Sequence, residues 1–253
     1  MNFFQFSLLG LLQGITEFIP VSSSGHLVLV GYLWEIGEKS LLFNTVLHFA
    51  TLLAILLFLG TKEINCPIKR LFLLVVGGSI PTVVLGLAFK PFVEEVFISP
   101  VPVGMALLAT GFILMAGDRV RNQQKDMNTM TLRDALFIGM AQGFAVLPGI
   151  SRSGITIITG MMCGLKREVA AEFSFILVIP AVIGAMGLEL WEWRGKAGMA
   201  MPLLLLWGGF VALIAGYISL VILFKVLKQR RLRFFAYYCW IAGAGAILFS
   251  VTR

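Results

Sequence analysis

Charged side chains are scarce in this sequence, and their scarcity excludes most classes of soluble protein. Asp, Glu, Lys and Arg make up 13% of the 253 residues and hydrophobic residues make up 58%, whereas a typical soluble domain is about a quarter charged. Cysteine is scarce as well, and the three cysteines have none of the spacings typical of disulfide frameworks or zinc sites. The sequence therefore predicts an all-α protein whose main solvent is lipid.

Long apolar segments are abundant instead. Two of them, residues 3–33 and 132–163, are interrupted by polar, serine-rich breaks, and their halves are too short to span a bilayer. Irregular backbone at membrane depth must be buried in protein or line a polar cavity, so both are predicted to be re-entrant helix hairpins with candidate sites at the breaks. Six further segments can each cross a bilayer, which takes ~20 residues per helix. They are residues 41–60, 71–89, 101–117, 168–190, 200–225 and 234–252.

The net charge of +7 arises in short loops between these segments. That placement favours a topology signal and contact with lipid headgroups over binding of nucleic acid. Basic loops at 61–70, 118–133, 164–168 and 225–233 alternate correctly if they are cytoplasmic. Both termini are then extracytoplasmic, the first hairpin enters from outside and the second from the cytoplasm. The first apolar stretch lacks a basic start and a cleavage site, so we expect it to be retained.

The two hairpins have related sequences. A shift of 129 positions brings seven identical residues into register, including Gln13 with Gln142 and Ser22 with Ser151. Together with the opposite orientations, this predicts an inverted-topology repeat within a single membrane domain, residues 1–253. Repeat 1 covers about residues 1–120 and repeat 2 about residues 130–253. Opposed hairpins bring two helix N-termini close to one point, as in transporters that bind anions.

The first break is predicted to open a half-helix over residues 25–33, and the second one over 154–163. Each break combines hydroxyls, free backbone N–H groups and the positive end of a helix dipole, which together make an anion site. Either break alone could instead be an ordinary helix N-cap. Three ionisable residues in the apolar hairpins, Glu17, His26 and Arg152, favour function, because a charge at bilayer depth costs at least about 2 kcal/mol.

Arg152 lies between two serines and suits bidentate contact with phosphate oxygens, although a structural pair with Glu17 is the alternative. Gln13 and Glu17 are four residues apart and so share one helical face. Their oxygens suit a hard cation such as Mg²⁺, with an interhelical polar contact as the alternative.

His26 lies one turn after Ser23. It could serve as the base for that hydroxyl or attack phosphorus itself, and the sequence leaves this choice open. His48, in the segment 41–60, has no neighbouring motif and is expected to make a structural hydrogen bond to another helix.

Two stretches of the sequence resemble the signatures of a known family. Residues 13–26, QGITEFIPVSSSGH, and 147–156, LPGISRSGIT, closely resemble the two signatures of undecaprenyl-diphosphate phosphatases, the bacitracin-resistance (BacA) family. The first matches (E/Q)xxxE followed by PVSS(S/T)GH, and the second matches PGxSRSxxT. Length, number of spans and the Phe173-Ser174-Phe175 segment are also similar, so the resemblance covers essentially the whole chain.

The resemblance implies hydrolysis of undecaprenyl diphosphate to undecaprenyl phosphate and inorganic phosphate in the bacterial plasma membrane. This reaction recycles the lipid carrier of cell-wall glycan synthesis and needs a divalent cation, Mg²⁺ or Ca²⁺. The resemblance also implies a site that opens to the extracytoplasmic side.

Residue by residue, the resemblance assigns metal binding or acid–base chemistry to Gln13 and Glu17. It assigns nucleophile and base to Ser23 and His26, and it makes Arg152 the diphosphate clamp. The remaining positions of the two motifs are expected to bind substrate. They are Ser22, Ser24, Gly25, Ser151, Ser153, Gly154 and Thr156.

The main alternative is a transporter or flippase for polyprenyl-phosphate lipids, because broken helices in an inverted repeat are typical of alternating access. A purely structural role in the membrane would not explain why His26 and Arg152 lie within apolar segments. The expected partners are a polyprenyl diphosphate and membrane lipids. The G-x-x-x-G patterns at 10–14 and 139–143 are compatible with packing inside one chain or with a homodimer.

Overall fold

The computed structural model describes residues 2–34, 41–97, 99–121, 123–193 and 202–252, and over these ranges the chain forms ten α-helices and no strand. The helices are α1 (Phe3–Phe18), α2 (Ser23–Leu33), α3 (Leu41–Leu59), α4 (Ile68–Val96), α5 (Pro100–Asp118), α6 (Leu132–Phe144), α7 (Arg152–Met162), α8 (Arg167–Trp193), α9 (Pro202–Lys228) and α10 (Arg233–Val251). The prediction of an all-helical protein is confirmed for these residues.

Five of the described helices, α4, α5, α8, α9 and α10, are long and apolar enough to cross a membrane. The predicted span 41–60 corresponds to α3, in which the apolar stretch Phe43–Leu59 is shorter. The first two residues of the predicted span 200–225 lie outside the described residues. Many large apolar side chains of these helices are exposed, as expected for surfaces that face lipid tails rather than water.

Both predicted breaks interrupt helices, but each following helix starts earlier than the sequence suggested. We expected helical runs to begin at Gly25 and Gly154, whereas α2 begins at Ser23 and α7 at Arg152. The reason is capping. The hydroxyls of Ser22 and Ser151 accept hydrogen bonds from the N–H groups of Gly25 and Gly154, at 3.3 and 3.1 Å, which fixes the first turn of each helix.

The helix order divides into two sets of five, α1–α5 and α6–α10, each consisting of a broken helix pair followed by three further helices. The broken pairs do not pack mainly within their own set. Helix α1 lies along α9, α6 lies along α4, and α5 pairs with α10. Each break is therefore supported by a helix from the other half of the chain.

Glycines permit these crossings. A Cβ at Gly10 would lie 2.3 Å from the carbonyl oxygen of Gly208, and one at Gly139 would lie 1.9 Å from that of Gly78. A side chain at either position would therefore force two backbones apart. Both G-x-x-x-G patterns of the sequence are thus used for packing inside the chain.

Candidate active site

Glu17 is the centre of the site. Its side chain is 2% exposed and lies in the last turn of α1. One carboxylate oxygen, Oε2, accepts a short hydrogen bond from the Ser23 hydroxyl and another, 3.0 Å long, from Gln13 Nε2. The other oxygen, Oε1, forms an ion pair with Arg152 Nη2. The structure therefore brings four of the predicted site residues together around one carboxylate.

The local chain path explains this convergence. Gln13 and Glu17 share a face of α1 because they are four residues apart. The chain then turns sharply at the break, where the N–H of Val21 donates to the Ile19 carbonyl at 2.7 Å. Ser22 adopts a left-handed conformation, with φ of 69°. This reversal brings Ser23, in the first turn of α2, back against the last turn of α1.

A hydrogen bond from the backbone to a serine hydroxyl joins the two breaks. The N–H of Gly149 in the second break donates to the Ser22 hydroxyl at 3.0 Å. Thr110 of α5 secures the same point, since its hydroxyl donates to the Gly149 carbonyl at 2.8 Å and accepts from the Ser151 N–H at 3.0 Å. The two serine-rich breaks therefore lie together, as the sequence predicted. Thr110 was not predicted, because nothing in its apolar surroundings distinguishes it from a packing residue.

His26 is held by two contacts. Its Nδ1 lies 2.7 Å from the Ser22 carbonyl oxygen, which can only accept, so Nδ1 carries the proton. Nε2 is then the acceptor for the hydroxyl of Tyr238, 2.7 Å away on α10. Among the described residues, the Ser23 hydroxyl donates to Glu17 and makes no hydrogen bond to His26. The Ser23 hydroxyl is therefore paired with the Glu17 carboxylate rather than with the His26 imidazole.

His48 belongs to the same site. Its Nδ1 lies 3.2 Å from Gln13 Nε2 and 3.8 Å from Glu17 Oε1. The predicted hydrogen bond to another helix is confirmed, but its partner is a site residue of α1. The sequence signal that points to a functional role for His48 is its position within an apolar span, where a histidine is unusual and commonly functional.

The polar residues of the second motif are buried around Arg152. Ser151, Ser153 and Thr156 are 1%, 5% and 1% exposed. The Thr156 hydroxyl donates to the Arg152 carbonyl at 2.8 Å, and the hydroxyls of Ser151 and Ser153 lie 3.3 Å apart. In the first motif, the hydroxyls of Ser22 and Ser24 form a similar pair at 3.4 Å.

The two sets of five helices contribute different groups. Among the described residues, Gln142, the counterpart of Gln13 in the second hairpin, donates to the Leu177 carbonyl and the Thr82 hydroxyl, at 3.3 and 3.4 Å. No ionisable residue occupies the position that corresponds to Glu17, where the sequence has Val146. The carboxylate comes from α1 in the first set and the guanidinium from α7 in the second.

A small cavity lies between these groups. Its volume is about 10 Å³, which is room for about one water molecule. It is lined by Glu17, Phe18, Arg152, Ser153, Thr156, Ser174, Phe175 and Val178. A diphosphate is far larger, so the site has to open, and the Arg152–Glu17 contact has to loosen, before such a ligand can enter.

The residues around Glu17 can be compared with the needs of a divalent cation. Gln13 is fully buried, and its Oε1 has no hydrogen-bond partner among the described residues. The described residues contain no cluster of three or more His, Cys, Asp or Glu side chains suited to a metal ion. Mg²⁺ commonly binds one or two carboxylates and completes its shell with water and substrate phosphates. Gln13 and Glu17 therefore fit a cation shared with a phosphate ligand, but not one enclosed by protein alone.

The sequence was also compared with known proteins. Residues 6–245 match the family described as bacitracin resistance protein BacA. An undecaprenyl-diphosphatase of Carboxydothermus hydrogenoformans is 42% identical over 251 residues, covering 96% of this chain and 95% of that protein. Undecaprenyl-diphosphatase 4 of Bacillus thuringiensis strain Al Hakam is 40% identical over 255 residues, covering 99% and 98%. An undecaprenyl-diphosphatase of Methanosphaera stadtmanae is 40% identical over 270 residues, covering 96% of each.

Proposed function

Since the chain belongs to the BacA family of bacitracin resistance proteins, we propose that it hydrolyses undecaprenyl diphosphate to undecaprenyl phosphate and inorganic phosphate. The observation that carries the proposal is the buried carboxylate of Glu17, which contacts both a hydroxyl nucleophile and a phosphate-binding guanidinium. The reaction returns the lipid carrier to cell-wall glycan synthesis. The relatives are named as phosphatases, so the comparisons do not favour the transporter alternative.

Arg152 binds the diphosphate in this proposal. A guanidinium has five N–H donors in a planar fork that matches two phosphate oxygens. One amino group contacts Glu17, and entry of the diphosphate exchanges or shares that contact. The buried hydroxyls of Ser151 and Ser153, and the free N–H groups at the starts of α2 and α7, offer further donors to the same anion.

Ser23 is the proposed nucleophile, because its hydroxyl already donates to Glu17. Glu17 takes the hydroxyl proton as Oγ forms a bond to the terminal phosphorus, and the bond from that phosphorus to the bridging oxygen breaks. Undecaprenyl phosphate leaves with the bridging oxygen. Water then attacks the phosphoserine, releasing inorganic phosphate and restoring the hydroxyl.

In this proposal His26 supports the step by carrying a proton. With Nδ1 protonated, Nε2 keeps a lone pair directed at Tyr238. Through this contact the pair can hold or deliver a proton near the leaving phosphate or the attacking water. Direct attack by His26 would first require Nε2 to leave Tyr238, which is why we assign the attack to Ser23.

Gln13 and Glu17 would hold the divalent cation, Mg²⁺ or Ca²⁺, together with the substrate's phosphate oxygens. When bound, the cation neutralises charge on the diphosphate. His48, in contact with Gln13, fixes the orientation of that amide.

We further propose that the two sets of five helices form the inverted-topology repeat, with six spans and two re-entrant hairpins in the bacterial plasma membrane. Support comes from the matching order of elements in the two sets and from the alternation of basic loops. With those loops in the cytoplasm, both termini are extracytoplasmic.

The direct test is phosphate release from a polyprenyl diphosphate by the purified protein in detergent. We expect release in the presence of Mg²⁺ or Ca²⁺, and loss of release after EDTA treatment that is reversed by adding excess metal ion. A protein that binds and moves the labelled lipid between leaflets without releasing phosphate would contradict the enzymatic proposal and favour the transporter.

Replacing Tyr238 with Phe tests the His26–Tyr238 contact. The variant loses one hydrogen bond, whose net value is typically about 1 kcal/mol, so kcat should fall about fivefold while KM changes little. Initial rates at several substrate concentrations separate the two parameters. Tyr237→Phe is the matched control, since Tyr237 is a neighbouring exposed tyrosine whose ring packs on Trp240. An equal fall in kcat in both variants would show that the Tyr238 hydroxyl has no specific role in the reaction.

A further inference from the structure

A second polar cavity lies away from the active site. Its volume is about 400 Å³, and it lies between the end of α5 and the turn that joins α9 to α10. Its lining residues are Asp118, Val120, Arg121, Gln123 and Arg230. Asp118 is eight residues beyond Thr110 on α5, which at 1.5 Å per residue places it roughly 12 Å along the helix from the serine-rich breaks. The proposed hydrolysis uses none of these residues.

Positive charge is in excess at this cavity. The side chains of Arg121 and Arg230 have no hydrogen bond or ion pair with any residue that the structure describes. Behind the wall lies a third arginine, Arg167, whose side chain is 5% exposed. The like charge of Arg230 acts on it. Among the lining residues, the carboxylate of Asp118 stands against the two guanidinium groups of Arg121 and Arg230. The negative charges of Asp118 and Glu168 act on Arg167.

Asp118 accepts two backbone hydrogen bonds, whereas one donor group of Arg167 makes none to the described residues. The Asp118 carboxylate accepts hydrogen bonds from the backbone N–H groups of Leu232 and Arg233, at 3.2 and 3.4 Å. Arg167 donates through Nε to Gln123 at 3.2 Å, while its Nη1 forms an ion pair with Asp118 at 3.5 Å but makes no hydrogen bond to a described residue. A buried guanidinium with an unused donor normally acquires a partner.

The backbone at Arg230 adds an independent observation. This residue has φ of 55°, a left-handed conformation that is costly for a side chain larger than glycine. A turn that served only to reverse the chain would favour glycine or asparagine at this position. The conformation instead keeps an arginine on the cavity wall.

We propose that this cavity is a second anion site that binds a phosphate group, on the face that the basic loops assign to the cytoplasm. Arginine forks match phosphate oxygens, and an anion would balance the excess charge and occupy the free donors. Two sources carry this chemistry there, the headgroup of an anionic lipid and inorganic phosphate. The simpler interpretation is that these arginines only orient the chain in the membrane, in which case any exposed arginine nearby would be equivalent.

Paired substitutions separate the two interpretations. The double variant Arg121→Gln/Arg230→Gln removes two charges from the cavity. The matched control, Arg119→Gln/Arg231→Gln, removes the same charge from exposed neighbours that do not line it. Both are made in an Arg152→Gln background, so that phosphate bound in the active site does not contribute. Calorimetry in detergent then measures binding of inorganic phosphate, of short-chain phosphatidic acid and of short-chain phosphatidylcholine.

We expect the unaltered cavity to bind phosphatidic acid, or both phosphate-containing anions, in preference to phosphatidylcholine. Affinity should fall at least about tenfold in the cavity variant and stay within about twofold in the control. Binding of phosphatidic acid alone identifies a lipid headgroup, and binding of inorganic phosphate as well identifies the phosphate group itself as sufficient. Equal losses in the two double variants, or no preference for the anions, would overturn the proposal. Neither result depends on hydrolysis, so the proposed function is tested separately.

Discussion

Replacing Glu17 with Gln is expected to reduce phosphate release by about 10²–10⁴-fold, the usual contribution of a positioned general base. The substitution preserves size and most hydrogen bonding, but the amide cannot accept the Ser23 proton. Initial rates with a polyprenyl diphosphate at saturating Mg²⁺ measure the effect. Glu94→Gln is the control, because Glu94 is an exposed acid paired with Lys90 on α4. A Glu17→Gln protein that kept most of its activity would contradict the role of Glu17 as base.

The same variant reports on the nucleophile. Rapid quenching of the unaltered enzyme with labelled substrate should trap an acid-stable phosphoserine at position 23, and Glu17→Gln should accumulate far less of it. An acid-labile phosphohistidine at His26 would instead assign the attack to that residue and reduce Ser23 to a hydrogen-bonding role.

Replacing Arg152 with Lys is expected to lower kcat/KM by about 10²–10³-fold, the typical effect of removing a preorganised donor from a developing oxyanion. Lysine retains the positive charge and loses the planar fork, so the variant tests bidentate geometry rather than charge alone. Arg133→Lys, at an exposed position in the first turn of α6, is the matched control. Unchanged kinetics in Arg152→Lys would show that a point charge is sufficient.

Stability distinguishes catalysis from mere ion pairing at this position. Removing one partner of a buried ion pair typically costs about 3–5 kcal/mol, whereas removing both can be nearly neutral. Arg152→Gln should therefore lower the melting temperature in detergent, and Glu17→Gln/Arg152→Gln should recover most of it. Activity should remain lost in the double variant. Recovery of activity together with stability would mean that the pair is only structural.

Much of the site could be predicted from the sequence, because its parts are local. Helical spacing places Gln13 and Glu17 on one face of a helix. Each serine-rich break is recognisable from its glycine, proline and hydroxyl residues within an apolar segment. Even the meeting of the two breaks followed from the repeat and from the charges of the loops. The starts of α2 and α7 were misplaced by about two residues, because cap hydrogen bonds from Ser22 and Ser151 extend these helices backwards.

The partners that were missed are all distant in the chain. Tyr238 lies 212 residues after His26, and no periodicity or motif connects them. Thr110 and His48 sit in apolar helices whose rotation about their own axes the sequence does not determine, so neither could be assigned to a face. The sequence left open whether His26 serves as the base for Ser23 or attacks phosphorus itself. The path of the break instead places the Ser23 hydroxyl against Glu17.

The crossing of α1 with α9 also sets an order on biosynthesis. Gly10 packs against Gly208, almost 200 residues later in the chain. The first hairpin is therefore synthesised long before α9, the helix against which it packs. Contacts so distant in sequence form late, since the intervening chain must be closed before they contribute. A chain that stops after α5 would therefore carry Glu17 and Ser23 but lack both the helix against which α1 packs and the Arg152 partner of Glu17.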